Sequence, residues 1–237
     1  MKILITLCAR GGSKGIPGKN IRQIAGKPLI SYTINHAKEF SNIYESDIAL
    51  STDSIEIKSI AESFELKTKY IRPQSLATDT AGKIETIYHL LEYEEKTRNI
   101  TYDYILDLDI SSPFRSLDDL KNAFLQILSD KNALNIFSVN KANRNPYFNM
   151  VEQQSNGYYS LVKKGNFLTR QSAPKVFDMN ASFYIFRRLF FDIKCNSTIS
   201  DKSLIYEVPH ICFDLDHQLD FDFMEFLINS NRLDFTI

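Results

Sequence analysis

The sequence predicts an α/β fold in which helices cover both faces of a mostly parallel β-sheet. Apolar, strand-like runs alternate with helix-like segments over the first two thirds of the 237 residues, a rhythm typical of three-layer α/β/α proteins. The first run, Ile3–Cys8, ends at Gly11-Gly12 and has the apolar character of a strand that is covered on both faces. The length allows one large domain or two small ones.

Local signals place the elements that follow. A helix is predicted over 28–40, since Pro28 suits a first helical turn. Its shared face comprises Leu29, Ile30, Tyr32, Thr33 and Ala37. A short strand is expected at 47–51, and Asp53 or Ser54 is the expected cap of a helix that ends near Phe64.

The alternation continues towards the middle of the chain. A third strand is predicted at 67–71, where Arg72-Pro73 stops it, and a long helix is predicted over 80–98. A fourth strand, 102–108, ends at Ser111-Ser112-Pro113. A helix over 117–128 and a fifth strand over 133–139 complete this part of the pattern.

Residues 140–175 interrupt the rhythm, because they are rich in Asn, Gly, Lys, Arg and Tyr. Tyr147–Glu152 and Tyr158–Val162 flank the turn signal Ser155-Asn156-Gly157, which predicts a β-hairpin. We expect an excursion from the main body here. Strands at 181–186 and near 211–213 and a helix over 219–228 then follow. That helix is expected to direct Phe223, Phe226 and Leu227 inward.

The composition limits the classes of partner. Lys and Arg total 28 and Asp and Glu total 29, which argues against a broad basic face for nucleic acid. No apolar run approaches the length of a membrane span, and the apolar start is typical of a buried strand rather than a signal peptide. Three widely spaced cysteines favour a reduced compartment, and we expect a cytoplasmic protein.

The loop at residues 9–20 is the sharpest local feature, with four glycines and the cations Arg10, Lys14 and Lys19 directly after the first strand. Glycines let backbone amides approach a phosphate, and the carboxyl end of a strand is where open α/β sheets bind ligands. We interpret it as a triphosphate loop rather than a flexible surface loop. The P-loop and dinucleotide patterns do not match it.

Asp214 and Asp216 flank Leu215 on a predicted strand, where residues two apart share a face. Two carboxylates in one cleft suit Mg²⁺, which prefers oxygen ligands. The ordinary alternative is an acidic helix start, because Asp220 and Asp222 follow closely. Beside a triphosphate loop, the metal site is the favoured interpretation.

Asp109 and Ser111 lie at the end of the fourth strand. Their pattern also suits a phosphatase with an aspartyl nucleophile, but that motif is expected on a first strand, which here carries the cationic loop. Arg170 lies in the excursion and is either a solvated charge or an anion contact that can be made across a subunit boundary. No cysteine has a nearby base, so a thiol nucleophile is unsupported.

These motifs together resemble those of the CMP-sialic acid synthetases, the acylneuraminate cytidylyltransferases, over essentially the whole chain. The matching segments are Ala9–Gly15 with Lys19-Asn20, Arg72-Pro73 with Leu76-Ala77 and Asp79, Ser112–Arg115, Arg170-Gln171 with Pro174, Asn180–Tyr184, and Phe213–Asp216. The branch that makes CMP-legionaminic acid is the most similar in the segments Leu108-Asp109, Arg144–Asn149 and Arg170–Lys175.

The resemblance implies a single cytidylyltransferase domain, 1–237, with a Rossmann-like nucleotidyltransferase fold. It also implies a homodimer that is built by the protruding hairpin segment 140–175. The implied reaction is attack by the anomeric hydroxyl of a nonulosonic acid, a nine-carbon α-keto acid sugar, on the α-phosphate of CTP. The products are the CMP-sugar and pyrophosphate, and the implied cofactor is Mg²⁺.

The resemblance also implies site residues. The catalytic residues are Arg10, Lys19 and Asp214, and the metal ligands are Asp214 and Asp216. The CTP contacts are Arg10, Gly11, Gly12, Ser13, Lys14, Lys19, Asn20, Arg72, Asp79 and, from the neighbouring subunit, Arg170. The sugar contacts are Asp109, Ser111, Ser112, Arg115, Asn180 and Tyr184.

Two departures from the family pattern concern the sugar pocket and the dimer. Asp109 stands where the sialic acid enzymes have a Gln, so an acceptor-only carboxylate replaces an amide. Phe148 stands where the family has a Lys. The first-choice substrate is a legionaminic-type acid, followed by N-acetylneuraminic and then pseudaminic acid. Two further hypotheses are an eight-carbon keto acid as the substrate and a non-catalytic nucleotide-sugar binding protein of the same fold.

Overall fold

The structure is a computed structural model that describes residues 1–12 and 15–237. The strands in chain order are β1 (Ile3–Cys8), β2 (Gln23–Ile24), β3 (Lys27–Pro28), β4 (Ser46–Ser51), β5 (Tyr104–Leu108), β6 (Asn135–Lys141), β7 (Val151–Gln153), β8 (Tyr159–Leu161), β9 (Phe177–Arg187) and β10 (Ser203–Glu207). The α-helices are α1 (Leu29–Ile43), α2 (Ile55–Ser63), α3 (Lys83–Arg98), α4 (Leu117–Ser129), α5 (Arg188–Asp192) and α6 (Gln218–Asn229).

Six strands form the main sheet in the order β10-β6-β9-β5-β1-β4. β1 pairs in parallel with both β4 and β5, and β10 pairs in parallel with β6. β9 runs antiparallel to β5 and β6, so five strands point one way and one points the other. The predicted mostly parallel sheet is confirmed, and the carboxyl ends of β1, β4 and β5 meet at one edge.

Two apolar cores lie on opposite faces of this sheet. In β1, Ile3, Ile5 and Leu7 belong to one core and Leu4 belongs to the other, as the alternation of side chains along a strand requires. The first core receives α1, α2, α4 and α6, and the second receives α3 and α5. The three-layer α/β/α arrangement predicted from the sequence is therefore present.

The helix starts follow from capping chemistry. Of the two predicted caps for α2, Ser54 is the one whose side chain accepts a hydrogen bond, from the Ile57 amide. At α4, the Ser116 hydroxyl accepts from the Asp119 amide while the Asp119 carboxylate accepts from the Ser116 amide. Such reciprocal capping satisfies amides that would otherwise lack partners.

Three predictions about elements are wrong. Residues 67–71 form no strand, since the chain there is irregular. Residues 211–213 form no strand either, and the edge strand of the sheet is β10, which precedes them. The inner face of α6 is formed by Phe221, Met224 and Leu227, whereas Phe223 and Phe226 are exposed, because the helix is rotated relative to the predicted face.

The predicted hairpin lies between β6 and β9, where β7 and β8 form a separate two-stranded antiparallel sheet. Gly157 has a φ of 85° in the turn, a conformation that glycine adopts without strain. Asn145 anchors the base of the segment: its Oδ1 accepts from the Tyr147 amide at 2.9 Å and its Nδ2 donates to the Pro174 carbonyl at 2.9 Å.

Over residues 1–12 and 15–237, no helix has both the length and the apolar character that a membrane crossing requires.

Candidate active site

A cavity of about 330 Å³ opens at the sheet edge where β1 and β5 end. Several residues predicted from the sequence line it, namely Arg10, Lys19, Asn20, Arg72, Asp79, Asp109 and Ser111. These residues come from separate stretches of the chain. The topology therefore brings the predicted nucleotide contacts and part of the predicted sugar contacts into one cleft.

The loop after β1 is held by polar contacts at several points. Arg10 pairs with Asp79, with 2.5 Å between Nη1 and Oδ1. Asn20 Nδ2 donates to the Arg10 carbonyl at 3.0 Å, and the Gly11 amide donates to Asp53 Oδ1 at 2.8 Å. A Cβ on Gly11 would lie 3.0 Å from the Ser54 Cβ, so the N-cap of α2 leaves little room for a side chain there.

Two predicted contacts, Ser13 and Lys14, lie outside the described residues. Gly12 has open space around it, because a Cβ added there would meet no heavy atom of the described residues within 4 Å.

Arg72 is buried at the wall of the cleft. Its Nε donates to Ser51 Oγ and its Nη2 donates to the Ser51 carbonyl, both at 2.9 Å. These bonds attach the guanidinium to the end of β4. A cation fixed in this way adds positive charge to the cavity without the mobility of a surface side chain.

Lys19 connects the glycine-rich loop with the acidic segment. Its Nζ lies 3.1 Å from Asp216 Oδ1. The backbone contact is also close, since a Cβ on Gly15 would lie 3.0 Å from the Asp216 carbonyl oxygen. Lys19 lines the cavity, so this contact places Asp216 next to it, although neither Asp214 nor Asp216 lines the cavity that the described residues form.

The acidic pair is held by irregular chain rather than by the predicted strand. The Leu215 amide donates to the Ser111 carbonyl at 2.8 Å, and the Leu215 side chain is fully buried in the first core. Asp214 is partly buried, whereas the Asp216 side chain is 63% exposed. The two carboxylates thus lie in different environments, whereas the predicted strand would have placed both on one face.

Asp214 is a carboxylate whose environment disfavours its charge. Burial, followed by the charge of Asp109, raises its pKa to about 6. Its Oδ1 is buried and has no hydrogen-bond partner among the described residues. An unpartnered carboxylate oxygen beside another carboxylate is suited to a hard cation. In the described part of the chain, no group of three or more His, Cys, Asp or Glu side chains could hold a metal ion.

Asp109 belongs to a charged cluster that the sequence pattern did not reveal. Its Oδ1 accepts from the Ser111 amide and hydroxyl, and its Oδ2 lies 3.0 Å from Lys83 Nζ. Lys83 also lies 3.1 Å from Asp107 Oδ2. Burial acts to raise the pKa of Asp109, but Lys83 and the Ser111 hydrogen bonds outweigh it and hold the pKa at about 2. Asp109 is therefore an ionised acceptor.

Two predicted sugar contacts, Ser112 and Arg115, lie in the interior of the protein instead of facing the cleft. Both side chains are fully buried. Arg115 donates to the Asp109 carbonyl at 2.7 Å and to Thr33 Oγ1 at 2.8 Å, and it also contacts the Ser182 carbonyl. Ser112 Oγ donates to the Asn180 carbonyl at 2.7 Å. These side chains fix the loop after β5, and neither lines the cavity that the described residues form.

Asn180 and Tyr184, the other predicted sugar contacts on β9, are also buried. Asn180 Nδ2 donates to Asn140 Oδ1 at 2.7 Å, so it joins β9 to β6. The Tyr184 ring centroid lies 5.0 Å from Lys83 Nζ. Tyr184 is therefore next to the charged cluster, whereas Asn180 is part of the sheet interior.

Arg170 lies apart from these residues, on the exposed hairpin segment. Its Nη2 donates to the Asn143 carbonyl at 3.0 Å, and it does not line the cavity that the described residues form.

Cys8 does line the cavity, but burial raises the pKa of its thiol to about 12, which agrees with the expectation that no thiol acts as a nucleophile.

Known proteins resemble the chain along its whole length. The family model for cytidylyltransferases matches residues 4–225. A post-translational flagellin modification protein B of Campylobacter coli is 42% identical over 234 residues, covering 98% of this chain and 97% of that protein. A CMP-N,N'-diacetyllegionaminic acid synthase of Campylobacter jejuni is 40% identical over 233 residues, with coverage of 98% and 97%.

The fold is also similar to that of a solved structure. A CMP:2-keto-3-deoxy-manno-octonic acid synthetase, solved in complex with CTP, superposes with a TM-score of 0.68 at 14% identity and covers 98% of this chain and 100% of that one. This likeness confirms the α/β nucleotidyltransferase fold. Taken with the family match and the full-length relatives, it shows that the chain belongs to the cytidylyltransferase family of nucleotidyltransferases.

Proposed function

We propose that this protein transfers the cytidylyl group of CTP to the anomeric hydroxyl of a nonulosonic acid, in a reaction that depends on Mg²⁺. The observation that supports this most directly is the Lys19–Asp216 contact of 3.1 Å, because it joins the cationic, glycine-rich loop to the acidic pair. A triphosphate bound together with a divalent cation needs both signs of charge in one cleft.

In the proposed reaction, the sugar hydroxyl oxygen forms a bond to the α-phosphorus of CTP. The bond from that phosphorus to the bridging oxygen breaks, pyrophosphate leaves, and the hydroxyl proton passes to a base. Arg10 and Lys19, with Lys14 of the same loop, bind the triphosphate oxygens. Their positive charge stabilises the charge that develops on the leaving pyrophosphate.

Asp214 and Asp216 would hold the Mg²⁺ ion. The unpartnered Oδ1 of Asp214 supports this assignment, since Mg²⁺ is commonly bound by one or two carboxylates with substrate phosphates completing its ligand set. The bound ion would supply charge neutralisation on the phosphate oxygens. The Lys19–Asp216 pair would open on binding, because the ion and the phosphates offer each partner a stronger contact.

The proposed acceptor is a legionaminic-type acid. The similarity to a CMP-N,N'-diacetyllegionaminic acid synthase, 40% identical over 233 residues, supports this choice. Asp109, as an ionised carboxylate, can accept hydrogen bonds but cannot donate them. It is suited to an acceptor sugar that presents an amide or hydroxyl donor at this place. N-acetylneuraminic acid and pseudaminic acid are the alternatives that an experiment must separate.

The test is a comparison of kcat/KM for N,N'-diacetyllegionaminic, N-acetylneuraminic and pseudaminic acids, with CTP and Mg²⁺, by pyrophosphate release. We expect the legionaminic-type acid to give the highest value. A higher value for another acid would correct the sugar and leave the reaction intact. CTP binding with no pyrophosphate release from any acid would instead identify a non-catalytic binding protein.

A further inference from the structure

Lys83 lines two cavities of the protein. The first is the cleft described above, and the second, of about 600 Å³, lies beside it. The second cavity is lined by Tyr88 and Phe191 among others, and Lys83 lies in the wall of both. An ammonium group at this position is within reach of a ligand that extends from one cavity into the other.

The position of Lys83 in the chain is electrostatically unfavourable. It is the first residue of α3, directly after the N-cap Gly82. The positive end of the helix dipole lies there, so a cation is disfavoured and an anion would be favoured. A residue that breaks a local rule of this kind commonly serves a function.

The contacts of Lys83 explain what offsets this cost. Its side chain is 31% exposed, and its Nζ lies 3.1 Å from Asp107 Oδ2 and 3.0 Å from Asp109 Oδ2. Asp107 is anchored from the other side, since Thr6 Oγ1 donates to its Oδ1 at 2.8 Å. The pair of carboxylates therefore orients the ammonium, and the Tyr184 ring packs against it.

The donor count leaves Lys83 with capacity for a ligand. An ammonium group has three N–H donors, and two carboxylates account for two of them. Lys83 lines both cavities and its side chain is 31% exposed, which leaves the third donor for a bound molecule. The cluster of one cation and two carboxylates offers both a donor and an acceptor at the border between the cavities.

We propose that Lys83 takes part in binding the acid acceptor: it positions Asp109 and donates a hydrogen bond to the acid sugar, and it does not bind the triphosphate. This inference rests on the proposed function for the identity of the acceptor. In this proposal, Lys83 and Asp109 recognise the sugar, whereas Arg10, Lys19 and Arg72 bind the nucleotide.

The test uses Lys83→Met and Lys83→Arg, with Lys38→Met as the matched control. Lys38 is a surface lysine of α1 paired with Glu65 at 2.8 Å. For each variant, KM for the acid is measured at saturating CTP, and the Kd for CTP is measured by calorimetry without acid. We expect Lys83→Met to raise the KM for the acid at least about tenfold, as the loss of a charge-assisted hydrogen bond implies, with partial rescue in Lys83→Arg.

We expect the Kd for CTP to change less than about twofold in both variants, because the triphosphate contacts are elsewhere. A tenfold loss of CTP binding with an unchanged KM for the acid would overturn the proposal. Lys83→Met leaves the buried Asp107 without its cation, so if that variant fails to fold, Lys83→Arg alone decides the question through the same two constants.

Coupling to Asp109 is measured by a double-mutant cycle with Asp109→Asn. If Lys83 acts with Asp109, the two effects on the KM for the acid are not additive. Additive effects would contradict the positioning role. A wild-type protein that releases no pyrophosphate with any acid would remove the proposed function, whereas loss of CTP binding in the Lys83 variants would remove the Lys83 assignment alone.

Discussion

The carboxylate of Asp214 lowers the stability of the folded protein when it is ionised. The carboxylate is partly buried, its Oδ1 has no partner among the described residues, and its pKa is raised to about 6. A raised carboxyl pKa means that the folded state disfavours the ionised form. Above about pH 6, this group therefore lowers the stability of the ligand-free protein.

Replacement of Asp214 by Asn is expected to separate stability from function. The ligand-free Asp214→Asn variant should be as stable as the wild type or more stable at about pH 7.5, because a disfavoured charge is removed. Its Mg²⁺-dependent turnover should fall at least about a hundredfold, the scale of a lost electrostatic contact at a reacting group. Thermal unfolding and pyrophosphate release at fixed CTP check the two halves.

The pH dependence provides the control for this prediction. Stability of the wild type should rise as the pH falls from about 7 towards 5, since the folded state takes up the Asp214 proton before the unfolded state does. The part of that rise due to Asp214 should be missing in Asp214→Asn. Identical slopes in the two proteins would contradict the assignment of the raised pKa to this residue.

Asp109 and Arg115 follow the same strand, β5, but the sequence predicted their positions with different success. Asp109 was placed in the cleft because it follows a strand, and the structure brings it there. Arg115, which was predicted to touch the sugar, is instead fully buried. A motif indicates that residues belong together, but it does not indicate which of them face the cleft. Lys83 was missed because a single lysine in a helix carries no pattern.

The segment between β10 and α6 is the least regular part of the site at the scale of elements. It carries the acidic pair, yet no strand supports it. His210 anchors it, with Nε2 at 2.7 Å from Asp119 Oδ2 of α4 and its ring stacked on Phe235 at 3.6 Å. Tyr206 OH donates to Asp119 Oδ1 at 3.1 Å. α4 thus holds the segment in place through one carboxylate.

The anchor predicts a pH-dependent loss of stability in His210→Gln. Burial lowers the pKa of His210, but the hydrogen bond to Asp119 outweighs it and raises the pKa above the usual value. The contribution is fully present below about pH 6.5 and is lost as the pH rises through the folded pKa. We expect a loss of roughly 1 kcal/mol at about pH 6 and a smaller one at about pH 8.5, measured by urea unfolding.

The partner carboxylate acts in the opposite sense at low pH. Burial acts to raise the pKa of Asp119, but the hydrogen bond from His210 and the Ser116 contacts outweigh it and lower the pKa. Its contribution is therefore present above about pH 4 and is lost on further acidification. A loss in His210→Gln that is equal at the two pH values would show that stacking on Phe235, not charge, holds the segment.

Elements with their own periodicity or cap were predictable, and elements defined by pairing were not. α1, α2, α4 and α6 match their predicted ranges closely, because apolar spacing and caps are local signals. Residues 211–213 look like a strand by composition, but they form no ladder of backbone bonds. Cys212 and Phe213 pack against the first core, and Ile211 is exposed. β10 pairs with β6 instead, a choice that depends on the whole sheet.

The hairpin segment is the most conspicuous feature of the whole molecule. Apolar side chains lie at its surface, including Val151, Tyr158, Tyr159 and Leu168, of which Leu168 is 94% exposed. Exposed apolar side chains concentrated on one segment are typical of an interaction site. The dimer implied by the sequence resemblance would cover them, and it would bring Arg170 of each subunit near the other subunit.

A double variant tests this arrangement. We expect the wild type to be a dimer and Val151→Asp with Tyr159→Asp to be a monomer of 27.3 kDa, because two carboxylates would have to be buried at the interface. The control is Ile55→Asp, an exposed apolar residue on α2, which should leave the dimer intact. Light scattering after gel filtration measures the mass. A monomeric wild type would contradict the role of the hairpin.

The central expectation for the whole molecule is a single transfer, that of the cytidylyl group of CTP to the acid sugar. The most direct measurement supplies [α-³²P]CTP, Mg²⁺ and N,N'-diacetyllegionaminic acid and follows the label by anion-exchange chromatography. We expect the label in a CMP-sugar, with one pyrophosphate released per product. Label that stays in CTP, or that appears only as free CMP, with this acid and with N-acetylneuraminic and pseudaminic acids would contradict the proposed function.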